Sequence, residues 1–299
     1  MMPRQSNMQP TNALSFDLEH WYTATLLRDC VSDPRDRVRA STRIVLDLLA
    51  EHDTTATFFV VGEVAAEYPD LLRDVSDAGH EIASHGHTHR PLWELDRDAF
   101  RAELRRSAAA IRRAVGERPV GFRAPNFSID PDTEWAFAEL RDAGYTYDSS
   151  VFPVRTPMYG VSGAPIRPHA IDSADPFSEP GSDEGDLYEV PTAVLDPRVR
   201  VPIAGGFYAR LLPRRLLSAG VRHLNGRGIP ATLYFHPWEF NPEVVRRDVP
   251  LSRRFVSFYG VEGLRSKLAA LLSSFEFGTV GRLLDRESPV DIDTVGRND

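Results

Sequence analysis

The sequence predicts an α/β protein built on a mostly parallel sheet or barrel, and three observations predict it. Short runs of β-branched and aromatic residues alternate with stretches of 3.6-residue apolar period. Glycines stand where the helical stretches should stop. Titratable side chains recur at the ends of the apolar runs, which is where α/β folds place their ligand sites.

The elements follow in order. Ala13–Leu18 reads as a first strand ending in carboxylates. Residues 39–52 carry Ile44, Val45, Leu48 and Leu49 on one helical face, and 55–61 reads as a buried strand. Residues 65–78 return to helix before Gly79, and Glu81–Ser84 is a third strand. Asp96 caps a long amphipathic helix that stops at Gly116. Val120–Arg123 is a fourth strand, Asp130-Pro131 opens a helix running to Ala143, and 145–151 is a fifth strand. Residues 153–186, dense in Pro, Gly, Ser and Asp, predict a long irregular insertion over one face. Beyond it, 187–194 and 198–203 read as short strands, Gly205–Tyr208 as a tight turn presenting aromatics, and 212–224 as helix. A strand over 231–235, a last helix within 251–275 and a short strand near 277–280 complete the pattern. With no internal repeat and no linker, one domain over 13–285 is expected, between an N-terminal tail (1–12) and a C-terminal tail (286–299).

Composition excludes several functions. The 299 residues suffice for a large core, and a net charge of -8 speaks against nucleic acid and anionic lipid as partners. The single cysteine, Cys30, excludes an internal disulfide and a multi-cysteine zinc site. The polar first twelve residues do not resemble a secretory leader, and no run approaches the ~18 apolar residues of a spanning helix. A cytoplasmic protein follows, with peripheral attachment at the inner membrane face left open.

Chemistry gathers at the strand ends. Asp17 and Glu19, His85 and His89, Arg123, Asp148 and His236 each follow or end a strand, and together they have the composition of a metal-assisted hydrolase site. The four-residue spacing of His85 and His89 would set both imidazoles on one side of a helical turn. His87 between them is out of phase and reads as solvent-facing.

In these motifs the chain resembles the NodB-type polysaccharide deacetylases, carbohydrate esterase family four. Ser15-Phe16-Asp17-Leu18-Glu19, His85-Gly86-His87-Thr88-His89, Arg123-Ala124-Pro125-Asn126, Tyr147-Asp148-Ser149 and Leu233–Trp238 match its five motifs. The stretches Tyr234–Glu239 and Gly205–Tyr208 resemble a subgroup tied to exopolysaccharide assembly. The resemblance implies a distorted (β/α) barrel of about seven parallel strands. It implies Asp17 as general base, His85 and His89 as metal ligands, Arg123 as wall of the groove, Asp148 as the group orienting the acid, and His236 as that acid. It also implies an oxyanion-binding backbone N–H just after Pro125.

The family's second motif-one aspartate is replaced by Leu18. Glu19 lies on the same strand face as Asp17 and is the favoured third ligand, with His20 as the alternative. The implied cofactor is one divalent ion, zinc foremost, with cobalt, manganese, nickel or iron also admissible. Pro125, Asn126, Phe127, Phe207, Tyr208 and Trp238 are expected to contact substrate, and Trp21 and Trp93 are further candidates for stacking on sugars. The function expected is removal of N-acetyl groups from a glycan or lipid-linked sugar. Hydrolysis of a small-molecule amide and a metal-free carbohydrate-binding role are the alternatives.

Overall fold

The computed structural model describes residues 11–182, 184–195 and 200–287. Both predicted tails lie largely outside that range.

Eight strands form one curled sheet's main path: β1 (Asn12–Leu18), β2 (Thr57–Val60), β3 (Glu81–Ser84), β4 (Gly121–Phe122), β5 (Tyr147–Asp148), β6 (His169–Ala170), β7 (Tyr188–Glu189) and β10 (Thr232–Phe235). Their order is β10-β1-β2-β3-β4-β5-β7-β6, with β11 (Phe277–Gly278) also beside β1. All pairings along this sheet are parallel except β6 with β7. The remaining two, β8 (Val194–Leu195) and β9 (Val201–Pro202), make an antiparallel ribbon. The fold is the distorted (β/α) barrel the motifs imply, as a curled half-barrel with helices packed around it.

Alternation along β1 explains how one strand serves two purposes. Leu14, Phe16 and Leu18 join the large core under the helices, while Ala13 belongs with Phe59, Ala83 and Tyr147 in the apolar barrel interior. Ser15 and Asp17 share Ala13's side, so the carboxylate emerges above that interior.

Ten α-helices are described: α1 (Val38–Glu51), α2 (Gly62–Glu67), α3 (Pro69–Asp77), α4 (Arg97–Val115), α5 (Ala136–Asp142), α6 (Gly206–Leu211), α7 (Arg214–Asn225), α8 (Leu251–Phe258), α9 (Val261–Leu272) and α10 (Val280–Glu287). Asp96 caps α4 by accepting from the Ala99 N–H, and Gly116 ends it at φ 89°, as expected.

Several expectations are corrected. The helix expected over 65–78 is split by Pro69, which opens α3 because it cannot continue α2's hydrogen bonding. The expected last helix is likewise two, parted at Gly260 in the left-handed region. Gly205–Tyr208 leads into α6 rather than a mere turn. Unforeseen altogether is α10, whose Val280, Leu283 and Leu284 plug the lower end of the barrel. Its first amides donate to Thr57 Oγ1 (2.8 Å) and Glu81 Oε2 (3.1 Å).

Candidate active site

The upper rim gathers side chains from β1, β3, β4 and β10. Asp17 is buried and accepts from Arg123 Nη1 at 2.7 Å. Arg123, with no solvent exposure, also donates to Ser15 Oγ (2.9 Å), Ser149 Oγ (2.8 Å) and the Ser149 carbonyl (3.0 Å). Its guanidinium lies 4.0 Å from the centre of the Phe59 ring. Four hydrogen bonds and the Phe59 ring thus hold the guanidinium beside Asp17.

Glu19 follows β1. Its Oε1 accepts from Trp238 Nε1 (3.2 Å) and lies 3.6 Å from His236 Nε2, while Oε2 lies 2.7 Å from His89 Nε2. Burial opposes ionisation of this carboxyl, yet His89, His236 and His85 overcome it and hold the pKa at about 2.

His85 and His89 do come together, with ring centres 5.2 Å apart, but not on a helical turn. The chain after β3 turns through Gly86 (φ 71°) and His89 (φ 56°), both left-handed. The His89 conformation is costly for a side-chain-bearing residue, and Glu103 of α4 fixes the turn by accepting from the His87 and Thr88 amides (2.8 and 2.7 Å). His87 itself is buried rather than solvent-facing, its ring held against Gly62.

The donor set fits a metal ion. One ligand atom each from Glu19, His85 and His89 falls within 4.8 Å of the others, and all three residues are buried. His85 Nδ1 sits 2.8 Å from the Arg123 carbonyl, which only accepts, so Nδ1 carries the proton and Nε2 keeps its lone pair for the cleft. Burial pushes this imidazole down to about 4, keeping it neutral as a ligand must be. Glu19 Oε2 approaches His89 Nε2 closely but without hydrogen-bond alignment, as two ligands of one cation would. Two histidines and a carboxylate leave coordination positions open, the pattern of catalytic zinc centres. Glu19 therefore stands where the missing aspartate was sought, while His20 turns away to Glu67 (3.3 Å).

His236 follows β10 and stacks on Trp238, ring centres 5.1 Å apart. The expected link from Asp148 to His236 is not present. Asp148 is fully buried, bonded to the Ser150 hydroxyl and facing Glu189. His236 Nδ1 instead meets Glu239 Oε2 at 3.2 Å, and Glu239 Oε1 accepts from Arg210 Nε at 3.0 Å. Burial alone would lower the His236 imidazole. Glu239, with Glu19 and Asp17 behind it, reverses this and raises it to about 9. The sequence held a signal for Glu239, a carboxylate three residues after His236, within one helical turn's reach.

These groups line a cleft of about 440 Å³, with Asn126, Phe127, Phe207, Tyr208, Tyr234 and Trp238 on its walls. Pro125, Arg123 and Asp148 lie behind that lining. Asn126 and Phe127 are both left-handed (φ 57° and 50°), an uncommon pair of conformations of the sort that clusters at functional sites. Tyr159 and Met158 of the long insertion reach the cleft, so that segment does cover one face of it. Trp21 is buried, bonded to the Arg35 carbonyl, and Trp93 is half exposed outside the cleft lining; neither is placed to stack on a sugar there.

Fold and site define a (β/α)-barrel protein with a buried Glu–His–His cluster able to hold a metal ion at the carboxyl ends of its strands. Comparison with known proteins agrees. Residues 13–147 match the polysaccharide deacetylase family, and residues 149–285 match a domain of unknown function, DUF3473. A chitooligosaccharide deacetylase of Sinorhizobium fredii is 43% identical over 178 residues, which cover 57% of this chain and 83% of that protein. A peptidoglycan-N-acetylglucosamine deacetylase of Bacillus cereus is 30% identical over 93 residues, 31% of this chain and only 34% of that protein. Among solved structures, a Mycobacterium smegmatis protein provisionally assigned as a polysaccharide deacetylase superimposes with a TM-score of 0.60 at 19% identity, covering 100% of this chain and 97% of that one. An allantoinase superimposes equally well (TM-score 0.60, 16% identity, 96% and 94% covered), and both likenesses speak to fold alone. The chain belongs to the polysaccharide deacetylase family.

Proposed function

We propose that this protein hydrolyses N-acetyl groups from an N-acetylated glycan or lipid-linked sugar, using a divalent metal, zinc foremost, held by Glu19, His85 and His89. One observation carries the reading. Asp17 Oδ2 lies 3.9 Å from His85 Nε2 and His236 Nε2 lies 3.6 Å from Glu19 Oε1, which supports a proton acceptor beside one member of the trio and a proton donor beside another.

When bound, the metal supplies Lewis-acid polarisation of the amide carbonyl and makes water more acidic. Asp17, fixed by Arg123, takes the proton from the attacking water. The backbone after Pro125, bent through Asn126, offers an amide N–H to the developing oxyanion; such a donor is typically worth about 3 kcal/mol. His236 delivers its Nε2 proton to the amine, which leaves poorly without it. Phe127, Phe207 and Trp238 supply flat apolar walls against which a pyranose ring packs.

Acetate release from chito-oligosaccharides tests this, alongside metal content by elemental analysis. Activity should vanish on chelation and return with zinc or cobalt, and His85→Ala should abolish both metal binding and turnover. Protein that binds no metal, or releases no acetate when loaded, would point instead to a carbohydrate-binding role.

A further inference from the structure

We propose that Glu239, clamped by Arg210, is the residue that positions His236 for proton delivery, and that building this assembly is a function of the region over residues 149–285 whose family description names none. The inference rests on the deacetylase reading above and adds a division of labour to it.

The geometry is specific. Glu239 is buried, and its Oε2 accepts from both the backbone N–H of His236 (2.9 Å) and ring Nδ1 (3.2 Å). One oxygen thus holds main chain and ring of the same residue, which leaves the imidazole little freedom to rotate. With Nδ1 occupied and one face on Trp238, only Nε2 is turned to Glu19 and the cleft. When Nε2 gives its proton to the amine, the Nδ1–H bond to Glu239 remains and the ring keeps its place.

Glu239 is in turn fixed from behind. Arg210 donates to Glu239 Oε1 (3.0 Å), to the Tyr259 carbonyl (2.7 Å) and to the Val256 carbonyl (2.9 Å), anchoring the carboxylate to α8 and the turn after it. Gly206 makes the slot. A Cβ there would sit 1.8 Å from Glu239 Oε1, so any side chain would displace the carboxylate. All these residues lie after position 149. Asp148, the last residue before that region, is committed to Ser150 and Glu189, and among the described residues the imidazole's hydrogen-bond partner is Glu239.

The test compares two substrates that differ in their need for a proton. An amide needs its amine protonated on departure, whereas 4-nitrophenyl acetate releases an anion stable enough to leave unaided. Glu239→Ala should lower kcat for N-acetyl glycan about 100-fold, the low end for a lost general acid, with KM nearly unchanged. Ester turnover should fall by less than about fivefold, since ester departure does not call on the acid. Gly206→Ala, which keeps every charge and only pushes the carboxylate aside, should show the same split if the buried Arg210 makes Glu239→Ala fold poorly. In a His236→Gln background, adding Glu239→Ala should cost nothing further, because the second residue acts through the first. As a readout apart from turnover, wild-type protein should show a downfield, exchange-protected ring Nδ1 proton by NMR that Glu239→Ala lacks.

Equal losses on amide and ester, additive losses in the double variant, or a persisting Nδ1 signal would each overturn the proposal. If His236→Gln itself spares the amide reaction, His236 is not the acid and the positioning role falls with it; if wild-type, metal-loaded protein releases no acetate, the function proposed above fails. If His236→Gln shows the split and Glu239→Ala does not, only the positioning role fails.

Discussion

Two buried arginine–carboxylate pairs flank the metal-type trio, and they are built differently. On one side Arg123 holds Asp17, and the neighbouring imidazole, His85, is kept neutral by burial. On the other side Arg210 holds Glu239, and the neighbouring imidazole, His236, is raised to about 9 and so carries charge at neutral pH. Asp17 has a single cation and a free oxygen edge toward the cleft, which suits a group that must receive a proton. Glu239 lies between two cations and passes its influence through one of them. On the proposed mechanism, the same chemical pair serves an acceptor or a donor according to what the third residue does.

Three substitutions sharpen that contrast, beginning with the largest effect. Asp17→Asn should leave metal content unchanged but cut acetate release by about 10³-fold or more, the usual scale for removing a general base. Full activity would show that the base lies elsewhere. Next, Arg123→Met strands Asp17 in the interior with no cation, and urea unfolding should report a loss of about 3–5 kcal/mol. Arg210→Met should cost measurably less, because Glu239 retains the charged imidazole of His236. Equal losses would mean that the imidazole does not share in neutralising Glu239.

The smallest effect concerns a carboxyl pair without any arginine ion pair among the described residues. Asp148 and Glu189 face one another, and burial raises Asp148 to about 6 and, with Asp148's charge added, Glu189 well above its usual value. Raised folded values mean that the pair stabilises the fold fully below the unfolded carboxyl range and loses that contribution as pH climbs through 6 and beyond. Glu189→Gln, which keeps an oxygen for the Val151 amide, should flatten this decline between pH 5 and 8. An unchanged slope in denaturant melts across that range would count against the shared proton.

Much of this was legible in the sequence because it depends on local pattern. β3 runs over Glu81–Ser84 as expected, α4 begins and ends at its Asp96 and Gly116 signals, and Asp17, Glu19, His85, His89 and His236 meet as the strand-end argument required. What was missed depends on tertiary context. The His85–His89 pairing is made by left-handed backbone at Gly86 and His89, which spacing alone presents as a helix. His87 is buried because α2 packs its Gly62 against the ring, a contact no periodicity announces. The Asp148 expectation was not met because that carboxylate is taken by Ser150 and Glu189, while Glu239 holds the His236 ring. The three-residue spacing of Glu239 from His236 was legible, but the clamp by Arg210, 29 positions away, was not.

The position of β1 between an early strand, β2, and a late one, β10, has a consequence for synthesis. The strand bearing Asp17 is made before every partner it has, and besides the nearby β2 it pairs with Thr232–Phe235 and Phe277–Gly278. A nascent chain leaving the ribosome must carry that strand with an open edge until more than two hundred further residues emerge. Hydrolytic competence thus arrives late and all at once, and a prematurely terminated chain would present sticky backbone to its neighbours rather than a weakened enzyme.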